Sequence, residues 1–132
     1  MSWAVVSAVA AGGALGALGR HVVNVLAERV LSFLSLGQLP LATFTVNIMG
    51  SFLMGLVAGG LLLLRFPSSE VLRAFLATGL LGGFTTFSAF SLELGEMVTQ
   101  RHYGVALGYA GTSVVSGLCA FLLGMFLVRA WT

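Results

Sequence analysis

The 132-residue sequence is 58% hydrophobic and 8% charged, with six Arg, four Glu, no Lys, no Asp and a mean hydropathy of +1.07. An ordinary soluble domain carries roughly 25% charged residues, and a chain this short has too few polar groups here to cover a surface in water. A soluble globular monomer is therefore excluded, and the same composition excludes disorder. The one cysteine, Cys119, excludes an intrachain disulfide and a cysteine-only metal cluster. A net charge of +2 with no basic patch gives nucleic acid no footing.

Charge-free tracts run over 1–19, 30–64, 74–92 and 102–128. About 20 apolar residues cross ~30 Å of hydrocarbon, so the pattern predicts an all-α integral membrane protein with helices over 3–25, 39–64, 71–97 and 103–129. The connections are short, and the chain reads as one transmembrane domain over 1–132. No Lys or Arg precedes Arg20, so the first tract lacks the positive start of a signal peptide and reads as a retained helix. Residues 26–36 look amphipathic enough to lie at the interface. Gly37, Gln38 and Pro40 cut the second tract, and Pro40 is tolerated in a first helical turn.

The arginines carry a second message. With four spans, Arg65, Arg73 and Arg129 fall on the side of both termini, and Arg20, Arg29 and Arg101 on the other. Orientation is normally set by a Lys/Arg excess on the cytoplasmic side. The even count predicts insertion in both orientations and an antiparallel homodimer, unless Arg20 or Arg73 lies inside a helix. Glycine is 18 of 132 residues, above the usual ~7%. The pairs Gly12/Gly16, Gly55/Gly59, Gly79/Gly83 and Gly104/Gly108 recur at i, i+4, a spacing that lets membrane helices approach closely.

Polar side chains inside a span are costly and face partners or a water-filled path. Thr43, Asn47 and Ser51 share one face of the second helix, and Tyr109, Thr112, Ser113 and Ser116 line the fourth. Asn47 reads either as an interhelical hydrogen bond or as a donor in a polar pathway. A path of neutral donors suits an anion that must enter and leave. The centre of the third helix reads Gly82-Gly83-Phe84-Thr85-Thr86-Phe87-Ser88-Ala89-Phe90. Two glycines and a β-branched pair weaken a helix and predict a break, whose freed backbone groups persist only inside protein or beside a cavity. Carbonyls at such breaks commonly face a cation, and amide ends an anion. Phe87 and Phe90, three residues apart, read as packing residues or as ring edges facing a small anion.

Three blocks then identify a family: Gly16 to Arg20, Asn47-Ile48-Met49-Gly50-Ser51-Phe52, and Gly82 to Phe90 followed by Glu93. With them the chain resembles the Fluc (CrcB-type) fluoride channels along its whole length. The resemblance implies a fluoride-selective passive channel in the bacterial inner membrane. It implies an antiparallel dual-topology homodimer with two pores and a structural sodium ion on the two-fold axis. Asn47 would be the pore amide, Phe87 and Phe90 the phenyl pair, and Ser88, Thr43, Tyr109 and Ser113 further pore residues. The sodium ligands would be the backbone carbonyls of Gly82 and Thr85. Arg20 and Glu93 would belong to the vestibule. Gly117 stands where a further hydroxyl is expected, with Ser116 as a substitute, and Ala89 replaces a frequent Thr.

Two rival readings meet specific obstacles in the residues. A small dual-topology multidrug transporter needs a membrane carboxylate, and Glu28, Glu70, Glu93 and Glu96 read as lying near helix ends. An assembly subunit without transport activity has no need of polar stripes or a broken helix. An enzyme is not expected: His21 and His102 fall at predicted helix ends, and no nucleophile–base pair is visible.

Overall fold

A computed structural model of the protein describes residues 2–33, 40–63 and 70–131. It is all-helical, and four helical stretches are long and apolar enough to cross a membrane: Trp3–Phe33, Leu41–Leu61, Glu70–Thr99 and Tyr103–Ala130. The chain is thus a multi-pass membrane protein. Helix α1 (Trp3–Phe33) runs unbroken for 31 residues. The segment expected to lie flat from residue 26 continues this helix, with Leu31 buried; residues 34–36 lie outside the described residues. Arg20 and His21 therefore sit within α1 rather than at its end. Helix α2 (Leu41–Leu63) starts directly after Pro40, whose carbonyl accepts the Phe44 N–H at 3.2 Å. Leu39, Leu64 and Arg65 lie outside the described residues.

The third span is composite. A short α3 (Glu70–Arg73) passes into a π-helix over Ala74–Leu81, then α4 (Gly82–Phe84), two extended residues, and α5 (Phe87–Thr99). The π-helix departs from the plain α-helix expected there. Its wide turns lie against α1, the main partner of this segment. The approach is close: a Cβ on Gly16 would come within 2.1 Å of the Leu80 carbonyl oxygen. Helix α6 (Tyr103–Ala130) packs chiefly on α2. There a Cβ on Gly55 would lie 2.0 Å from the Phe121 carbonyl oxygen. Small residues thus bring backbones together where side chains gain nothing by leaving lipid.

Helices α5 and α6 are joined by a tight turn in which His102 N–H reaches the Met97 carbonyl (2.9 Å) and Arg101 N–H the Val98 carbonyl (3.0 Å). This is a Schellman ending, whose left-handed residue is usually Gly; here it is Arg101, with φ 62°. The buried side chains Val46, Leu81, Phe84, Thr43 and Thr86 belong to α2 and the two sides of the break in the third span. Cys119 is exposed on α6.

Candidate functional site

The break lies at Thr85 (φ −78°, ψ 160°) and Thr86 (φ −149°, ψ 117°). This corrects the part expected of Gly82 and Gly83, which both stand inside the helical turn Gly82–Phe84. Gly83 instead serves packing, since a Cβ there would lie 2.6 Å from the Gly13 carbonyl oxygen of α1. The interruption is held open by substitute hydrogen bonds. In a continuous helix, Thr86 N–H would bond the Gly82 carbonyl. It donates instead to Asn47 Oδ1 at 2.8 Å, and Asn47 Nδ2 donates to the Thr86 carbonyl at 3.0 Å. Thr86 Oγ1 accepts the Ala89 N–H at 3.2 Å and caps α5. Ser88 Oγ lies 3.2 Å from the same hydroxyl.

Thr86 was not a candidate in the sequence, yet it is buried and central. The available signal was a Thr directly before an apolar helical run, the ordinary N-cap pattern. Asn24, one turn beyond Arg20 on α1, also went unnoticed; its Oδ1 is shielded and without a partner.

Next to the break lies a cluster built from three helices. Glu93 sits in the middle of α5, not near a helix end as the sequence suggested. Its Oε1 accepts from Thr43 Oγ1 of α2, and its Oε2 accepts from Tyr109 Oη of α6 at 2.7 Å. Phe90 stacks between Phe87 (ring centroids 5.7 Å) and Tyr109 (5.2 Å), both tilted. Phe87 is 79% exposed and turns away from the rest of this chain. Ser113 Oγ, one turn along from Tyr109, is shielded and within reach of the Tyr109 hydroxyl, without a close, well-aligned hydrogen bond. A further turn along, Gly117 has no hydroxyl, but a Cβ there would lie 3.5 Å from Ser51 Oγ. A hydroxyl from α2 thus faces the gap on α6. Thr112, by contrast, is exposed and bonds back to the Gly108 carbonyl at 2.7 Å.

Arg20 does not stand at a loop. Its Nη1 lies 3.5 Å from the Thr85 carbonyl, at the level of the break. Arg20 and Arg73 both stand within helices, so the even loop count loses one arginine from each side; Arg65 lies outside the described residues.

The donor set at the break fits a hard cation. Thr86 N–H and Ala89 N–H are both diverted to side chains, so the Gly82 and Thr85 carbonyls lose their helical partners. Neutral oxygens of this kind suit an alkali or alkaline-earth ion. The Arg20 guanidinium competes for the Thr85 carbonyl, at the outer limit of hydrogen-bond length.

Fold and site together define a small multi-pass membrane protein whose interior polar groups gather around a discontinuous helix. Residues 7–125 match the family described as CrcB-like protein, Camphor Resistance (CrcB). The chain is 46% identical over 121 residues to the fluoride-specific ion channel FluC of Caulobacter vibrioides (strain NA1000 / CB15N), covering 92% of each chain. It is 50% identical over 121 residues to the protein of that name from Hyphomonas neptunium, again covering 92% of each. It is 44% identical over 123 residues to FluC 1 of Mycolicibacterium paratuberculosis, covering 93% of this chain and 89% of that one. The chain belongs to the CrcB family, whose named relatives here are channels and not enzymes.

Proposed function

We propose that this chain is a fluoride-selective passive channel of the bacterial inner membrane that lets cytoplasmic fluoride leave and so reduces its toxicity. One observation carries the reading beyond the relatives' names: Ser113 Oγ is shielded one turn from the Tyr109 hydroxyl and makes no close, well-aligned hydrogen bond. A shielded hydroxyl without a good partner costs stability, and a small anion that needs donors would satisfy it. The pathway runs along Asn47, Ser88, Phe87, Phe90, Thr43, Tyr109 and Ser113, with Ser51 facing the gap at Gly117. Asn47 uses one amide hydrogen on Thr86 and keeps a second. Arg20 attracts the anion from its vestibule without chelating it, and Glu93 fixes the hydroxyls of Thr43 and Tyr109.

The working unit in this reading is an antiparallel homodimer with two pores. Gly104 and Gly108, spaced for helix contact, have nothing within 4 Å in this chain, and Phe87, at the other end of α5, is bare. A second copy covers both. A near-even arginine count leaves both orientations accessible. A structural sodium ion held by the Gly82 and Thr85 carbonyls of both copies would supply positive charge at the centre; the ion is not transported.

A proton-coupled drug exporter is favoured by one feature, the interior position of Glu93. Its two oxygens are already taken by hydroxyls, which leaves it poorly placed to trade protons for cations. The deciding experiment is fluoride efflux from liposomes that hold only the purified chain, with chloride as the control anion. Rapid fluoride efflux without chloride efflux is expected. Absence of fluoride efflux from correctly assembled protein would overturn the proposal. Repeating the assay with sodium replaced by a large organic cation tests the central ion separately.

A further inference from the structure

Two apolar grooves open on the flank of the third span, away from the polar cluster, and both reach the same guanidinium. The larger, about 650 Å³, is lined by Val5 and Val9 of α1 and by Glu70, Arg73, Ala77 and Thr78. The smaller, about 280 Å³, is lined by Val57, Ala58 and Leu61 of α2 with the same Arg73 and Ala77. The larger volume is within the range of small-molecule sites and the smaller lies just below it. Glu70 is the first described residue of the span and Arg73 lies three residues on. The described span of 30 residues exceeds the roughly 20 that suffice, and two exposed charged residues suit its first turn to headgroup level. Both side chains are exposed, and they share one helical face.

An apolar groove by itself selects no lipid, because lipid tails are as apolar as the side chains that line it. Selection comes from the charged mouth. A guanidinium beside a carboxylate complements a headgroup that carries a phosphate diester and an ammonium group. Arginine suits the phosphate, and the carboxylate accepts N–H hydrogens that a primary ammonium has and a quaternary one lacks. Quaternary ammonium groups prefer aromatic cages, and no aromatic side chain is among the described lining residues. An anionic headgroup without an ammonium would meet Glu70 unfavourably.

We infer that this flank seats one phospholipid of the phosphatidylethanolamine class. Its phosphate lies on Arg73, its ammonium on Glu70, and one acyl chain in each groove. The test exposes the whole protein to nanodiscs of equal phosphatidylethanolamine, phosphatidylcholine and phosphatidylglycerol, then counts the lipid retained after mild detergent by native mass spectrometry. One extra charge-assisted hydrogen bond predicts retention of phosphatidylethanolamine over either competitor by roughly tenfold. Glu70→Gln should abolish that preference while phospholipid is still retained. Arg73→Gln should lower retention of all three. Ala77→Leu, which adds bulk where the grooves meet without changing charge, should do the same. Equal retention of the three lipids, preference for phosphatidylglycerol, or enrichment unchanged in Glu70→Gln and Arg73→Gln would each overturn the inference. The wild-type ratio decides alone if a variant does not fold.

Discussion

Asn47 and Thr86 grip each other in both directions: Thr86 N–H donates to the Asn47 carbonyl oxygen, and the Asn47 amide nitrogen donates to the Thr86 carbonyl. A side-chain amide takes the place of a neighbouring peptide. The extended residue at the break is thereby satisfied inside the span, where an unpaired backbone group is costly. Asn47 is a clamp for the broken helix as well as the candidate pore amide.

Replacing Asn47 therefore has two consequences. Asn47→Leu strips both groups of Thr86 of their partner, at about 1–3 kcal/mol for each unsatisfied group. We expect a lower melting temperature in detergent together with a severe loss of fluoride efflux. Lost efflux with unchanged melting would confine Asn47 to the pathway. Unchanged efflux would remove it from the pathway.

The cap made by Thr86 is testable separately. Thr86→Val keeps the shape but removes the oxygen that accepts Ala89 N–H, a loss of about 1 kcal/mol. Hydrogen exchange should quicken in the first turn of α5. Thr86→Ser keeps the oxygen and should leave exchange near wild type. Equal exchange in both variants would argue against the cap.

Ser51 faces the place where Gly117 lacks a side chain. Ser51→Ala should lower fluoride efflux several-fold, in line with the loss of one hydrogen-bond donor worth about 1 kcal/mol. Gly117→Ser puts a hydroxyl back from the other helix, and its Cβ meets only ordinary contact at 3.5 Å. The double variant should recover efflux lost in Ser51→Ala. Failure of this rescue, with the protein intact, would place Ser51 outside the path.

Arg101 occupies the left-handed position of the turn between α5 and α6. A side chain there costs roughly 1 kcal/mol relative to glycine. Arg101→Gly should raise the melting temperature and leave efflux unchanged. A fall in melting temperature would mean that the Arg101 side chain stabilises the turn by more than its backbone strain costs.

Composition and charge spacing determined that the chain is all-helical and crosses the membrane four times, because burial in hydrocarbon is a one-dimensional property of consecutive residues, and the weak helix formers at 82–86 announced a break in the third helix. The polar stripes of α2 and α6 were legible for the same reason: helical periodicity puts Thr43, Asn47 and Ser51, or Tyr109 and Ser113, on one side. Which groups meet across helices was decided only by tertiary structure. Nothing local to Gly82 or Gly83 says that these residues stay helical and that the chain extends at Thr85 and Thr86. That outcome depends on Asn47, 39 residues away, bonding the Thr86 backbone. The interior place of Glu93 depends on hydroxyls from two other helices, and that of Arg20 on the Thr85 carbonyl. Hydrogen bonds between residues far apart in the chain leave no periodic trace along it, so packing alone shows where the arginine, the glutamate and the break come together.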